Sequence, residues 1–558
     1  GRVAGDKAPN LFVSHEGRGG AVTVGGDFSA TDAAGAEAGA SEGSSSSSSS
    51  ALSAEAEARR ALLREGPLSL AQASHGGAAG TLHVVVGVKG EGGAEATEAE
   101  EEGVKTKTAD ALFVESLNEI AKQSGDSSRG RTGKSSSGGK NPPLNDGDGE
   151  DDGDDENDSC YRARIGRLRV KDENVAKVTT DRAYGLAVMP SSSHVVCAVG
   201  DRSGNLGVWN YSSQHLYPDT DGVTQFSPHT ATVNVVAFHP TNPSKVFTTS
   251  YDGTVRCLDL NHQVFESVYN TSQRSTYDFW LQHSCLTSDG NGLIAGDSEG
   301  DCVFVDLRSP KNRVVWRGEC HDKKVQTVSV HPQAPHFLAT ASLDRSVKIF
   351  DLRKVAHATT TGSGGSGGGG GSDGSAVLKP LCTFAEGNSV NCAYWNPTGE
   401  YLLSVTQGDH LRVFHKPHTH AAGDHGAGEA AAATVHHDNK TGRYLPVFHA
   451  AWDPKKSNSF VVGSMAKTRC VEVFGVSSSS SSSSSSASLP ISGNGKDKKN
   501  KSPKASSAAS AAAPLLACRK VATLSGTALA SVQSRLAFHP HLDVLVCANA
   551  SGRVHIFD

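Results

Sequence analysis

Seven imperfect copies of one strand–turn–strand pattern predict an all-β fold, a seven-bladed β-propeller with a long disordered N-terminal arm and disordered insertions. Three observations carry that reading. The first is the repeat itself: residues 229–260 read HTATVNVVAFHPTNPSKVFTTSYDGTVRCLDL, residues 321–353 read HDKKVQTVSVHPQAPHFLATASLDRSVKIFDLR, and residues 532–558 read VQSRLAFHPHLDVLVCANASGRVHIFD. Each holds an alternating apolar strand that stops at His-Pro, a second strand ending in small residues, and a hairpin. A third strand then closes on an aromatic or apolar residue before Asp. His-Pro ends a strand because Pro cannot continue the ladder and restricts the residue before it. The second observation is the count: weaker copies at 183–210, 279–308, 390–415 and 447–475 bring the total to seven. The third is the period of about 45 residues per copy, the size of a propeller blade. Blades arranged in a ring leave only short edges and need no other core.

The remaining elements follow in chain order. Four segments read as disordered on composition: the arm 1–160, and insertions at about 357–376, 416–438 and 476–517. The propeller is placed over 161–558 around those insertions. Within the arm, Phe113, Val114, Leu117, Ile120 and Ala121 recur at helical spacing over 110–122, with Asp110 as N-cap. A helix of about 12 residues is marginal alone, so this one reads as transient or as a partner-binding motif. The acidic run NDGDGEDDGDDENDS (145–159) is a solvated spacer or a contact for histones. KDKKNKSPK (496–504) reads as a nuclear-localisation element, a phosphate-binding flap or a plain solubility tract.

The net charge of −6 hides a separation. Residues 1–160 carry 14 Lys+Arg against 28 Asp+Glu, and the rest carry 39 against 31. An acidic arm thus precedes a basic body, which points toward a nucleic-acid partner. No window of 18 consecutive apolar residues suggests a membrane span. The start at Gly1 reads as a fragment of a longer product. Eleven cysteines without a C-x-x-C pair read as buried free thiols in a reducing compartment.

Trp209, Val305, Phe350, Phe414 and Phe557 stand at or near the Trp of a Trp-Asp signature, and on these residues the chain resembles the WD-repeat family. SYDGTVR (250–256), DNKTGRYLPVFHAAWDPK (438–455) and FVVGSM (460–465) are more specifically similar to the WD repeat-containing protein 76 family, which includes fungal damaged-DNA-binding WD proteins. HDKKV and ATASLDRSVKIFDLRKV (339–355) are similar to the small subunit of the UV-damaged-DNA-binding complex. The resemblance covers about 178–558 without the insertions. It implies a nuclear protein that binds damaged or base-modified DNA, and docking to the cullin-4 ubiquitin ligase through its damaged-DNA-binding adaptor.

The family's docking signature, aromatic-Asp-x-Arg, is matched by Phe350-Asp351-Leu352-Arg353, and at Asp and Arg alone by Val305-Asp306-Leu307-Arg308. The alternative is that Asp306, Arg308, Asp351 and Arg353 tie adjacent blades together. Arg182, Arg202, Lys323 and Lys324 match DNA-contacting positions of the UV-damage subunit and fall in blade connections that crowd one rim. A ring of cations there suits phosphate contact, although each alone also fits a solvated surface charge. Arg256, Arg443 and Tyr444 join the DNA-binding set, their placement depending on loop geometry. Where that subunit inserts an aromatic-Gln-His hairpin, this chain has Gly442-Arg443-Tyr444, so its extrusion device does not carry over.

Other signals reduce to structure. GSGGSG (362–367) has no strand before it or helix after it, which makes it a linker rather than a phosphate loop. His415, His418, His420, His425, His436 and His437 lack fixed ligand spacing. His229 with Ser250 and Asp252, and His321 with Ser342 and Asp344, resemble a catalytic triad but recur in two blades, which favours a structural network. The expectation is therefore a nuclear, non-enzymatic DNA reader in chromatin with no metal, cofactor or membrane. The alternative is a protein-interaction scaffold or cullin-4 substrate receptor without direct DNA contact.

Overall fold

The computed structural model describes residues 67–74, 109–129, 153–216, 221–271, 279–309, 313–357, 376–419, 432–479 and 515–558. Alternating apolar residues pair into seven antiparallel sheets, each with four strands here termed A to D. Blades 1 to 6 occupy 183–226, 233–270, 281–319, 325–385, 390–436 and 451–525. Blade 7 takes its A, B and C strands from 533–557 and its D strand from β2 (Val175–Lys177). Val175 pairs with His555 and Lys177 with Arg553, which closes the ring between distant parts of the chain. The A strands line a central channel and the D strands form the outer edge. Among the described residues, no helix is long and apolar enough to cross a membrane.

The signature positions sit where strand C meets the inter-blade core. Trp209, Val305, Phe350, Phe414 and Phe557 are all fully buried. Leu258 and Phe474 hold the same strand position in blades 2 and 6 and are equally buried, without a Trp-Asp signal.

The His-Pro pairs do more than end strand A. The Nδ1 of His239 accepts the Thr241 and Asn242 amides, and its Nε2 donates to the Gly290 carbonyl of blade 3. His331 repeats this with Gln333, Ala334 and the Gly399 carbonyl of blade 5. His539 does so with His541, Leu542 and the His194 carbonyl of blade 1. Each ring staples its blade to the next. A Cβ on Gly399 (φ +76°) would lie 2.0 Å from the His331 ring, so glycine is needed both for conformation and for space.

The triad-like sets are structural. His229 bonds Asp252 at 3.0 Å and Thr248 Oγ1 at 2.8 Å, and His321 bonds Asp344 at 2.8 Å and Thr340 Oγ1 at 2.7 Å. Ser250 and Ser342 instead donate to the Ala231 and Lys323 carbonyls. No hydroxyl in either set is free to act as a nucleophile.

The stretch expected to be an unstructured arm holds ordered elements. The strand β1 (Leu68–Ser69) adds a fifth strand to blade 2, pairing with Val264 and Phe265, and runs into the one-turn helix α1 (Leu70–Ala73). The helix α2 (Ala109–Arg129) buries Phe113, Val114, Leu117, Ile120 and Ala121 in a cluster with Val208 and Phe226 of blade 1 and Leu258 and Phe265 of blade 2. Ser244 Oγ donates to Asn118 Oδ1 at 3.0 Å and fixes its register. The helix α3 (Gly153–Ile165) sets Tyr161 and Ile165 into the seam of blades 6 and 7. Its Arg164 bridges Asp453 at 3.0 Å and Asp543 at 2.9 Å. Hydrophobic contact explains all three: a marginal helix becomes stable once its apolar face is covered. Two insertions are also shorter than expected. Ala432–His436 is strand D of blade 5, and the C and D strands of blade 6 extend to Ser479 and from Leu515.

Candidate nucleic-acid interface

Strand order fixes which loops share a rim. The D–A connections and B–C turns of every blade lie on one rim, and the A–B and C–D loops on the other. Arg182, Lys323, Lys324, Arg443 and Tyr444 are in D–A connections and Arg202 is in a B–C turn, so all six share the first rim. Arg202, Lys323, Arg443 and Tyr444 are exposed, while Arg182 and Lys324 are half-buried.

They form two groups. In one, the Arg202 amide donates to the Arg182 carbonyl at 3.0 Å, and the Arg182 guanidinium stands 6.0 Å from the Tyr444 ring. Tyr444 reaches this position from the connection entering blade 6, across blade 7. Tyr444 is 64% exposed. In the other, Lys324 Nζ stands 6.0 Å from the ring of Trp280, which is 39% exposed and lies 6.4 Å from the ring of Tyr251. Burial pulls the Lys324 ammonium below the usual lysine range. Trp280 and Tyr251 belong to this surface on position, Trp280 just before strand A of blade 3 and Tyr251 in the B–C turn of blade 2.

Arg256 belongs elsewhere. It is an interior residue of strand C in blade 2, fully buried, and burial lowers its pKa. Its side chain has no route to a duplex, so the interface is drawn without it.

The opposite rim carries the Asp-x-Arg sequences. Arg308 Nε and Nη2 donate to the two Asp306 oxygens at 2.9 and 2.8 Å. Arg353 makes the same fork on Asp351 at 2.9 and 2.8 Å. The bonded arginines hold both carboxyls at about 2. Each pair orders its own C–D loop rather than bridging blades, and both guanidinium groups remain largely exposed. The two loops lie on adjacent blades. The weaker sequence match at Val305 thus has the same geometry as the stronger one at Phe350.

Inside the ring, the A strands enclose a cavity of about 310 Å³. Tyr394 Oη lies 3.2 Å from His283 Nε2 and 3.0 Å from His449 Nδ1. The Val328 amide donates to His283 Nδ1, which places the His283 proton on Nε2. The chain therefore runs from His283 through the Tyr394 hydroxyl to His449. Burial and the nearby Arg535 charge lower the His283 pKa to about 3, and burial with the same charge lowers that of His449. Both imidazoles are neutral.

Residues 221–259 and 312–351 match the family described as WD domain, G-beta repeat. The chain is 30% identical over 399 residues to WD repeat-containing protein 76 of Xenopus laevis, across 71% of this chain and 56% of that protein. It is 29% identical over 401 residues to WD repeat-containing protein 76 of Mus musculus, across 71% and 52%. DNA damage-binding protein CMR1 of Phaeosphaeria nodorum is 26% identical over 399 residues, across 68% and 66%. The chain thus spans just over half the length of the first two. On fold, repeat and sequence together, it belongs to the WD-repeat β-propellers, where its relatives are the WD repeat-containing protein 76 and CMR1 proteins.

Proposed function

We propose that the chain is a nuclear, non-enzymatic DNA-binding protein that recognises damaged or modified DNA in chromatin. The observation that carries this reading is the sharing of one rim by cations and exposed aromatic rings: Arg182, Arg202, Lys323, Lys324 and Arg443 with Tyr444 and Trp280. Cations hold phosphates at any sequence, and a ring facing solvent stacks on a base that has left its duplex. A lesion weakens stacking, so a damaged site presents such a base at lower cost. The CMR1 relatives carry the name DNA damage-binding, which agrees with this chemistry.

Binding of matched duplexes with and without a lesion, measured across salt, tests the reading. Tighter binding to the damaged duplex and a falling log affinity with log salt are expected. Removing the four basic side chains Arg182, Arg202, Lys323 and Lys324 together should reduce the salt slope by about 3–4. Equal affinity for the two duplexes would defeat damage recognition, and a flat salt response would defeat DNA binding itself.

A second reading rests on the paired Asp-Arg forks. We infer that the opposite rim docks the adaptor of a cullin-4 ubiquitin ligase, leaving the basic rim open to DNA or histones. Arg308→Ala with Arg353→Ala should abolish adaptor co-purification and leave DNA affinity unchanged. Joint loss of both activities would contradict the division between rims.

A further inference from the structure

Arg535 is a buried cation whose counter-charge is missing. It is the third residue of strand A in blade 7 and is 93% buried. Its Nε donates to the Tyr184 carbonyl and its Nη1 to the Val447 and Ser534 carbonyls. The Tyr184 ring lies 5.9 Å from the guanidinium carbon. Among the described residues, no Asp or Glu pairs with it, and no protein acceptor engages Nη2. Carbonyl dipoles alone compensate a buried guanidinium poorly, and an unpaired charge inside a protein is strongly unfavourable.

Around Arg535 the channel is built to receive a group. The cavity wall has a polar part formed by Tyr184, Asn234, His283, Tyr394 and His449. Leu186, Val236, Leu536, Trp395 and Trp452 form its apolar part. In six of the seven blades, strand A carries a β-bulge at its second residue, which drops Tyr184, Asn234, Gln282, Gln326, Asn391 and Ser534 out of register. Bulges re-aim side chains beside functional sites. Asn234 Oδ1, Gln282 Oε1, Ser534 Oγ and both polar atoms of Asn391 are buried without a protein partner. Of these residues Asn234 lines the cavity with Arg535, so one wall holds both an unpaired amide oxygen and an unpaired guanidinium nitrogen.

We infer that the central channel binds an oxyanion, a carboxylate or phosphate group, which completes the charge of Arg535. Neutral His283 and His449 leave Arg535 as the sole cation of the wall, so the field in the cavity has one sign. The unpaired Arg535 donors take the anion, and the apolar wall accommodates whatever body carries it. This site lies inside the ring and does not depend on the DNA-binding role of the rim.

Thermal unfolding of the whole chain in rising inorganic phosphate or acetate, at constant ionic strength with chloride as the balancing ion, tests the site. A saturable rise in Tm is expected for at least one of the two, and which one responds separates phosphate from carboxylate recognition. Arg535→Gln should weaken the apparent affinity by about tenfold or more. The four-fold rim variant (Arg182, Arg202, Lys323 and Lys324 to Ala) should keep the full response while losing DNA affinity. Stabilisation lost in the rim variant and kept in Arg535→Gln would overturn the channel site. Should Arg535→Gln fail to fold, wild-type crystals soaked in bromide decide. Anomalous density within hydrogen-bond distance of the guanidinium supports the site, and water alone there at saturating bromide, with no rise in Tm in either salt, overturns it.

Discussion

His331 makes three hydrogen bonds, one of which crosses to the next blade, and the two that its Nδ1 accepts require a neutral ring. Its Nδ1 must accept two amides, which an imidazolium cannot do. The same holds for His239 and His539, and burial lowers all three pKa values, that of His539 to about 4. A folded-state pKa below the unfolded 6.5 means that the unfolded chain takes up the proton first. Their contribution is therefore complete above about pH 6.5 and is lost as pH falls, for His539 down to about pH 4. His539 should cost about 1.4 kcal/mol per pH unit in that window, read from urea unfolding at pH 7, 6 and 5. Gly399→Ala should destabilise at every pH by about 1–3 kcal/mol, because the added methyl strikes the His331 ring. Phe350→Ala should cost about 3–5 kcal/mol through the cavity it leaves. Arg202→Ala should leave stability within about 0.5 kcal/mol and weaken DNA alone, since the side chain is exposed. The sequence made the His-Pro positions visible but credited the strand end to Pro. The staple was hidden because its acceptors lie 51, 68 and 345 residues away in the chain.

Among the elements, α2 shows how local pattern and tertiary fate separate. The spacing of Phe113, Val114, Leu117, Ile120 and Ala121 was legible as a helix with one apolar face. What covers that face was not, since Val208, Phe226, Leu258 and Phe265 come together only once blades 1 and 2 stand side by side. Burial of Phe113, Val114, Leu117 and Ile120 at about 1.5–3 kcal/mol each outweighs the nucleation cost of the helix. Leu117→Asp should detach α2 and speed amide exchange in its outer turns, with a stability loss of about 2–4 kcal/mol. An unchanged exchange pattern would mean that α2 adds nothing to blades 1 and 2. The strand β1 was illegible for another reason: two residues carry no period. Its role comes from the free edge of Val264 and Phe265, which it covers.

For the whole molecule, the repeats alone sufficed for the count of seven blades, whereas the D strand of blade 7 comes from outside its own copy, at Val175–Lys177. The placement of the candidate residues on two rims followed from strand order once the D–A and C–D loops were known. Exposure could not be read from sequence, which is why Arg256 entered the candidate set and Trp280 and Tyr251 did not. Two-rim separation makes a further expectation measurable: changes at Asp306, Arg308, Asp351 and Arg353 should leave the salt slope of DNA binding unaltered within about 0.5.

The closing strand β2 has a consequence for how the protein is made. A ribosome releases Val175 some 380 residues before His555, its pairing partner. Blades 1 to 6 can assemble in turn as they emerge, yet the inner face of blade 1 and the seam that receives Tyr161 and Ile165 lack their neighbour until the last three strands appear. During that interval the nascent chain is an open arc with two raw ends, each able to capture a strand from another molecule. Completion of the circle is then a single late event that joins both ends at once.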